Sequence, residues 1–414
     1  MKVRNFYMIG LLLLILGCNK ESLVPVPDSG INSFLKQTHQ VPESSKPLME
    51  GIYLVTTNTT IFGDTMVVKW NHSGILFTCK NGKHFIMNSG YLDSVIFIQG
   101  YWRDGYSDAT GLCNMYISGS EGGNDLLEGK SAPHIILRGA YGTDNAAPNQ
   151  SLTLQYLRPF SNKVKESNFY ILGHRAGGRN SDRLPVSENS IAMVKFTERL
   201  GTTGIEVDPR ISSDGVAFIY HDADINTRLT QKGLLAGDVS AYTWTQLSSF
   251  VRLIHGERIP SLEEVLTFAI DSTELRFVYM DMKSADAVPV VIPIQQRAIQ
   301  HAKDKGRDII ILMGIPDTDV LNALMAYPGY QSVPSLCELT VDDVRNVNAK
   351  VWAPRWTLGV QNDLVQQMHN EGRLAVCWTI DSPNWIRSYL DQGIFDGLVT
   401  NFPYVVAYHH YIQE

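Results

Sequence analysis

The sequence has no CxxC pair, and cysteine accounts for only 5 of its 414 residues. A zinc ribbon or a thioredoxin-type redox centre is thereby excluded. It has neither a GxGxxG nor a GxxxxGK[ST] loop, the glycine-rich turns that cradle dinucleotide and nucleotide phosphates. A Gly-x-Ser-x-Gly elbow is missing too, which removes the usual hydrolase serine. Positive charge is in deficit, with 35 Lys and Arg against 42 Asp and Glu and a formal charge of -7. No basic stripe offers an electrostatic footprint to a nucleic-acid backbone, so nucleic acid is excluded as a partner. Beyond Leu16 no apolar run is long enough to cross a bilayer.

What is present begins at the N-terminus, where Lys2 and Arg4 precede the apolar run Met8 to Leu16. Its length and flanks are those of a signal peptide. The run ends in Ile15-Leu16-Gly17-Cys18, which resembles a bacterial lipobox, with the small residue directly before the cysteine. The expectation is a lipoprotein signal peptide over residues 1–17, a lipid on Cys18, and export to the periplasmic or cell-surface face of a bacterial membrane. An ordinary signal peptide with a chance cysteine is the alternative. Four cysteines remain for an oxidising compartment: Cys79, Cys113, Cys337 and Cys377. Cys79 and Cys113 lie in the same strand-rich half and either pair or stay as buried thiols. Residues 18–47, with scattered Ser, Pro, Asn and Gln, read as a flexible tether.

From Gly51 to Leu157 the chain runs in short strand-like segments broken by Gly, Asn and Asp: Ile52–Thr56, Thr65–Trp70, Ile75–Cys79, Ser94–Ile98, Cys113–Ile117, His134–Leu137 and Leu152–Leu157. This predicts a smaller antiparallel all-β domain, barrel or sandwich, over residues 48–165. No chemistry attaches to it, and Gly100-Tyr101-Trp102 reads as core packing.

After Asn168 apolar strands alternate with amphipathic stretches, the rhythm of an α/β fold with a parallel sheet. The span 166–414 has the length of a (β/α)₈ barrel, although periodicity alone equally describes an open doubly wound sheet. The strand candidates are Phe169–Leu172, Gly204–Val207, Val216–Tyr220, Arg276–Met280, Ile309–Met313, Ser335–Leu339, Val351–Ala353, Leu374–Trp378 and Gly397–Val399. That is one too many for eight, so a weak run, near Leu336 or Val351, is expected to be a loop.

Polar groups gather at the C-terminal ends of these strands, where barrel enzymes place their chemistry. His174 and Arg175 close the first strand, Glu206 and Asp208 the second, His221 and Asp222 the third, Asp281 and Lys283 the fourth. Glu206 and Asp208 stand two apart on a strand and so project to one face, with Asp281 arriving from a neighbour. Three carboxylates so placed repel unless they share a cation, and all-oxygen ligation points to Ca²⁺ or Mg²⁺. A lone pair of this kind is more often a solvated strand end. His174 and His221 flank the carboxylates as general acid and base, with a buried structural histidine as the alternative for either one. Arg175 and Lys283 are suited to phosphoryl oxygens. Asp222-Ala223-Asp224-Ile225-Asn226 starts like a calcium loop, but Thr227 replaces the required Gly, and the motif is rejected. His301, His369, His409 and His410 are expected at the surface.

The segment from Gly173 onward resembles the glycerophosphodiester phosphodiesterase family in the order and spacing of Gly173-His174-Arg175-Ala176-Gly177, Glu188-Asn189-Ser190, Gly204-Ile205-Glu206-Val207-Asp208, Asp214-Gly215, His221-Asp222, Ile259-Pro260-Ser261-Leu262-Glu263-Glu264-Val265-Leu266, Trp378-Thr379 and Asp396-Gly397-Leu398-Val399-Thr400-Asn401-Phe402-Pro403. The resemblance implies a TIM barrel that hydrolyses small-molecule glycerophosphodiesters to glycerol 3-phosphate and an alcohol. His174 and His221 would then be the acid and base, and Glu206, Asp208 and Asp281 the ligands of a divalent cation. Arg175 and Lys283 would hold phosphate, Glu188 would support them, and Trp378 would wall the glycerol pocket. Glu188 has a second reading as an acidic residue in a helix's first turn, and Trp378 as an inward barrel aromatic. The family pattern is departed from at Ala176, where Gly usually follows His-Arg, at Asp281, where Glu is usual, and at Pro209. The rivals are a barrel phospholipase of the phosphoinositide-specific C or sphingomyelinase D type, which forms a cyclic phosphate, and a surface binding protein without turnover.

Overall fold

The computed structural model describes residues 26–27, 32–71, 74–132 and 134–414. The signal peptide and Cys18 lie outside the described residues. Eight antiparallel strands close a first barrel: β1 (Gly51–Val55), β2 (Thr65–Asn71), β3 (Gly74–Cys79), β4 (Lys83–Leu92), β5 (Val95–Asp104), β6 (Thr110–Ile117), β7 (Ile136–Tyr141) and β8 (Gln150–Arg158). Alternation in β5, where every second residue from Ile96 to Trp102 is buried, sends one face inward. The interior is filled rather than hollow: Phe62 packs on Phe85, Trp102 and Tyr141 with ring centroids 5.0, 5.5 and 4.9 Å apart. Strand β4 is absent from the sequence-based set because Asn88-Ser89-Gly90 reads locally as a turn, whereas tertiary pairing carries β4 through it. Cys79 and Cys113 are buried free thiols, so the pairing alternative is not realised.

Part of the predicted tether is packed on this barrel. His39 bridges to Tyr91, Val41 joins the core, and the buried Ser45 Oγ donates to Leu126 O at 2.7 Å. A few apolar side chains suffice to dock a segment whose composition looks like linker.

A second closed barrel is parallel throughout, in the order β9 (Tyr170–Gly173), β10 (Gly204–Val207), β15 (Phe277–Met280), β16 (Ile310–Ile315), β17 (Ser335–Cys337), β18 (Val351–Trp352), β19 (Leu374–Cys377) and β20 (Gly397–Thr400). This is the TIM barrel architecture, and its strands are buried on both faces as parallel strands must be. Inward residues such as Leu172, Phe277, Tyr279, Leu312, Val376 and Val399 fill the centre. Alternate residues such as Ile171, Ile205, Val278 and Met280 face the helices. The Ser261-Leu262-Glu263-Glu264 stretch is a capping box: Ser261 Oγ accepts Glu264 N at 3.2 Å, and Glu264 Oε2 accepts Ser261 N at 2.9 Å, which starts the helix Leu262–Ser272.

Two strand expectations are corrected. Both weak runs, at Leu336 and Val351, are barrel strands, only three and two residues long and therefore too short to show periodicity. Val216–Tyr220 is not a barrel strand. Its core, β12 (Ala217–Ile219), pairs antiparallel with β11 (Pro209–Ile211) in a hairpin of the excursion between β10 and β15, as does a smaller pair, β13 (Asp224–Ile225) with β14 (Gly237–Asp238). Short apolar runs carry no mark of the partner strand they will take.

The helix Pro403–Tyr411 after β20 lies between the barrels, where Thr78 Oγ1 donates to Tyr404 O at 2.6 Å and Thr65 Oγ1 meets the Tyr408 hydroxyl at 2.8 Å. His409 and His410 are consequently buried, contrary to the surface expectation, because this helix is enclosed on both sides. His301 and His369 are partly exposed and pair with Asp271 and Asp396.

Candidate active site

At the C-terminal end of the parallel barrel, β10 carries Glu206 and is followed by Asp208, while β15 is followed by Asp281. One ligand oxygen from each of these three carboxylates lies within 4.8 Å of the others. Glu206 Oε1 and Asp281 Oδ1 are buried without a hydrogen-bond partner. Two orphaned carboxylate oxygens in a hard-donor cluster fit a divalent cation, since an unpaired buried acceptor is otherwise costly. Lys283 supplies positive charge there, with its Nζ 2.6 Å from Asp208 Oδ1 and paired also with Asp281 Oδ2. Burial, then the charges of Asp208 and Asp281, hold the Glu206 carboxyl well above the usual range. Burial also raises Asp281. It opposes ionisation of Asp208 as well, yet Lys283 and the nearby histidines keep that carboxylate below its ordinary value.

The turn after β9 places His174 and Arg175. Arg175 (φ 52°) and Ala176 (φ 71°) are both left-handed, the conformation glycine takes at least cost and the one the usual His-Arg-Gly pattern anticipates. The twist aims the Arg175 backbone N–H at Glu206 Oε2, 2.6 Å away. His174 Nδ1 lies 2.8 Å from Asn401 Oδ1, and the Asn401 amide nitrogen donates to Asp381 Oδ2 at 2.7 Å. That commitment turns the Asn401 oxygen toward His174, so the ring carries its proton on Nδ1 and leaves Nε2 as an acceptor, 3.8 Å from Glu206 Oε2. Burial and the Arg175 charge lower His174 to about 4.

His221 follows the hairpin rather than a third barrel strand, but it reaches the same mouth. Its Nδ1 meets Asp222 Oδ1 at 2.7 Å and its Nε2 meets Arg175 Nη2 at 2.9 Å. Arg175 can only donate, so this ring too is protonated at Nδ1 and accepts at Nε2. Burial lowers His221, and the Asp208 charge opposes that shift. Arg228 donates to Asp222 through Nε at 3.1 Å and Nη2 at 2.5 Å, and Asn226 Nδ2 donates to Asp222 Oδ2 at 2.7 Å. The rejected calcium-loop segment therefore serves to hold the carboxylate that orients His221. Glu188 is buried and accepts from Arg175 Nη1 at 2.8 Å and from Asn180 N at 2.7 Å. It precedes the helix Ile191–Thr197, whose N-cap is Ser190, so its first-turn reading is set aside.

Residues without a site role in the sequence reading complete the mouth. Asn189 Nδ2 donates to Asp208 Oδ2 at 2.5 Å. Glu338, just after β17, accepts from the Tyr279 hydroxyl, and burial followed by the Asp281 charge raises its carboxyl to about 8. Asn401 lies inside the Asp396–Pro403 motif, Arg228 six residues beyond Asp222, and Glu338 near the end of the weak strand run Ser335–Leu339. Trp378, after β19, is half-buried with its Nε1 donating to Ala353 O at 2.8 Å and the Arg355 guanidinium 4.8 Å above its ring.

The family model described as the glycerophosphoryl diester phosphodiesterase family matches residues 174–405. A protein of Mycobacterium tuberculosis named "Probable glycerophosphodiester phosphodiesterase 2" is 28% identical over 243 residues, covering 56% of this chain and 86% of that one. The glycerophosphodiester phosphodiesterase of Bacillus altitudinis is 24% identical over 230 residues, covering 52% of this chain and 89% of its own. The crystal structure of a glycerophosphodiester phosphodiesterase from Parabacteroides distasonis aligns with a TM-score of 0.46 at 18% identity, over 58% of this chain and 96% of that chain. With more than half of its residues matched, the chain belongs to the glycerophosphoryl diester phosphodiesterase family.

Proposed function

We propose that this chain hydrolyses glycerophosphodiesters to glycerol 3-phosphate and an alcohol, with His174 and His221 exchanging protons and a Ca²⁺ or Mg²⁺ ion on Glu206, Asp208 and Asp281. The observation that carries the reading is the meeting of that carboxylate cluster with two histidines that both leave Nε2 as an acceptor. One ring enters neutral and takes the proton of the attacking oxygen at Nε2; the other enters as imidazolium, having taken a proton from solvent, and delivers it from Nε2 to the departing alkoxide, after which the first ring returns its proton to solvent. Asp208 supports either imidazolium, since its charge favours protonation of both rings. Arg175 offers its fork and Lys283 its ammonium to the phosphoryl oxygens. When bound, the cation would neutralise phosphoryl charge. Glu188 holds the Arg175 fork in place, and Trp378 walls the pocket for glycerol.

We further propose that the chain works outside the bacterial cytoplasm on a membrane surface, through a lipid on Cys18. Supporting this is the lipobox-like Leu16-Gly17-Cys18 after the apolar run Met8 to Leu16.

The deciding assay follows glycerol 3-phosphate release from glycerophosphocholine and glycerophosphoethanolamine with Ca²⁺, Mg²⁺ or EDTA, beside His174→Ala. Metal-dependent release lost in that variant is the expected result. No release from folded protein with any metal would overturn the reading, and a cyclic ester as product would move it to the phospholipase class.

A further inference from the structure

The loop between β5 and β6, in the first barrel, reaches the mouth of the second. The Tyr106 hydroxyl donates to Asp381 O at 3.2 Å, and its ring stacks on Phe402 with centroids 4.9 Å apart and 29° between planes. Asp108 pairs with Arg183, and Arg103 donates to Arg183 O, both on the segment after β9. From its own side the loop is stiff. Tyr106 N donates to Asp104 Oδ1 at 2.9 Å, Asp104 pairs with Lys83 at 3.0 Å, and any Cβ on Gly82 would strike the Tyr106 ring.

What the loop touches leads directly to a histidine. Asp381 accepts the Asn401 backbone N–H at 2.9 Å and its side-chain amide at 2.7 Å. Asn401 then meets His174 Nδ1 at 2.8 Å. Tyr106 thus braces Asp381 through its backbone and, through Phe402, the residue next to Asn401. Asp381 is 30% exposed and sits on the loop after β19, where a rotation would release the Asn401 amide to flip and present its nitrogen to His174.

We propose that the β5–β6 loop of the first barrel, acting through Tyr106, is a positioning element that fixes the Asn401 amide and with it the tautomer of His174. The first barrel is then part of the working site rather than an appendage. The proposal rests on the phosphodiesterase reading only for the catalytic use of His174; the positioning itself is independent of turnover. Tyr106 touches no reacting atom, and a domain clasp without influence on the site is the competing account.

The two accounts separate in the ¹⁵N shifts of the His174 ring in the full chain in detergent, assigned by their loss in His174→Gln. These shifts report which nitrogen carries the proton, and simple docking of two barrels would not move them. Tyr106→Ala should shift His174 from the Nδ1–H form toward a mixture, and Tyr106→Phe, which keeps the stacking, should do so less. Where wild type turns over, kcat should fall about 3- to 10-fold in Tyr106→Ala with KM within about twofold. Thr65→Val, which cuts another contact between the barrels at Tyr408, should leave the His174 shifts unchanged. Wild-type His174 shifts in both Tyr106 variants would overturn the proposal, as would an equal response to Thr65→Val. Should Tyr106→Ala fail to fold, Tyr106→Phe and Asp108→Ala decide it by the same readout. Absent wild-type turnover would sink the phosphodiesterase reading alone.

Discussion

Arg175 Nη2 donates to His221 Nε2 at 2.9 Å, so the arginine assigned to phosphate also occupies the ring nitrogen assigned to proton transfer. Its other amino group is tied to Glu188, and Glu188 in turn lies 3.4 Å from Arg228, which grips Asp222, the partner of His221. The five side chains close a ring of polar contacts. An arriving phosphate would compete with His221 for Arg175 and free Nε2 as it binds.

The fork geometry of Arg175 should therefore matter beyond its charge. Arg175→Lys is expected to lose the contact to Glu188 or to His221, and to lower kcat/KM by about 10- to 100-fold, the range of a charge-assisted hydrogen bond. Steady-state kinetics on glycerophosphocholine would check this, with an unchanged melting temperature as the control for folding.

Asp222 determines which nitrogen of His221 bears the proton. Asp222→Asn could instead offer its amide N–H to Nδ1, favouring the tautomer in which Nε2 can no longer accept. A fall in kcat of about 100-fold or more is expected, with KM little changed, as for other displaced general bases. Preserved kcat would remove His221 from proton transfer.

Glu338 is raised to about 8, so it is largely neutral at pH 7 and ionises as pH climbs past that value. Glu338→Gln copies the neutral form. It is expected to keep kcat/KM within about twofold at pH 7 and to diverge from wild type above pH 8. Rate profiles from pH 6 to 9 for both proteins would show it; a large loss at pH 7 would mean that Glu338 works as a carboxylate.

Three buried histidines line the junction of the barrels: His84, stacked on Tyr404 at 3.8 Å, and His409 and His410. Burial lowers them to about 3, 4 and 4. Their folded values lie below the unfolded value of about 6.5, so the unfolded chain takes up protons first as pH falls. The stability these three histidines contribute is full above about 6.5 and declines toward pH 4, by on the order of 3 kcal/mol for each, while the raised carboxyls of Glu206, Asp281 and Glu338 act in the opposite sense. Urea unfolding of wild type beside His84→Gln, if the variant folds, isolates one contribution: between pH 7 and 4 wild type should lose about 3 kcal/mol more than the variant.

The family motifs were legible because they are local: Gly173–Gly177, Glu206-Val207-Asp208 and Asp396–Pro403 each carry their residues at fixed spacing. The barrel order was less so. Strands of two or three residues at Val351 and Ser335 bear too little pattern, and Val216–Tyr220 looks like a barrel strand although its partner is the antiparallel β11. The structure nevertheless brings the two histidines to one mouth, since the excursion that carries His221 folds back over it.

By itself the sequence determined the donor set, three carboxylates with two imidazoles and two cations, because side-chain chemistry and short-range spacing are written along the chain. Only the tertiary structure decided which nitrogen of each histidine is free. That depends on Asn401 and Asp381 for one ring, and on Asp222, Arg228 and Arg175 for the other. It alone also brought Tyr106 of the first barrel against Asp381, 275 residues away along the chain. Hydrogen bonds between such distant residues arise from how barrels close and pack, and no local pattern records them.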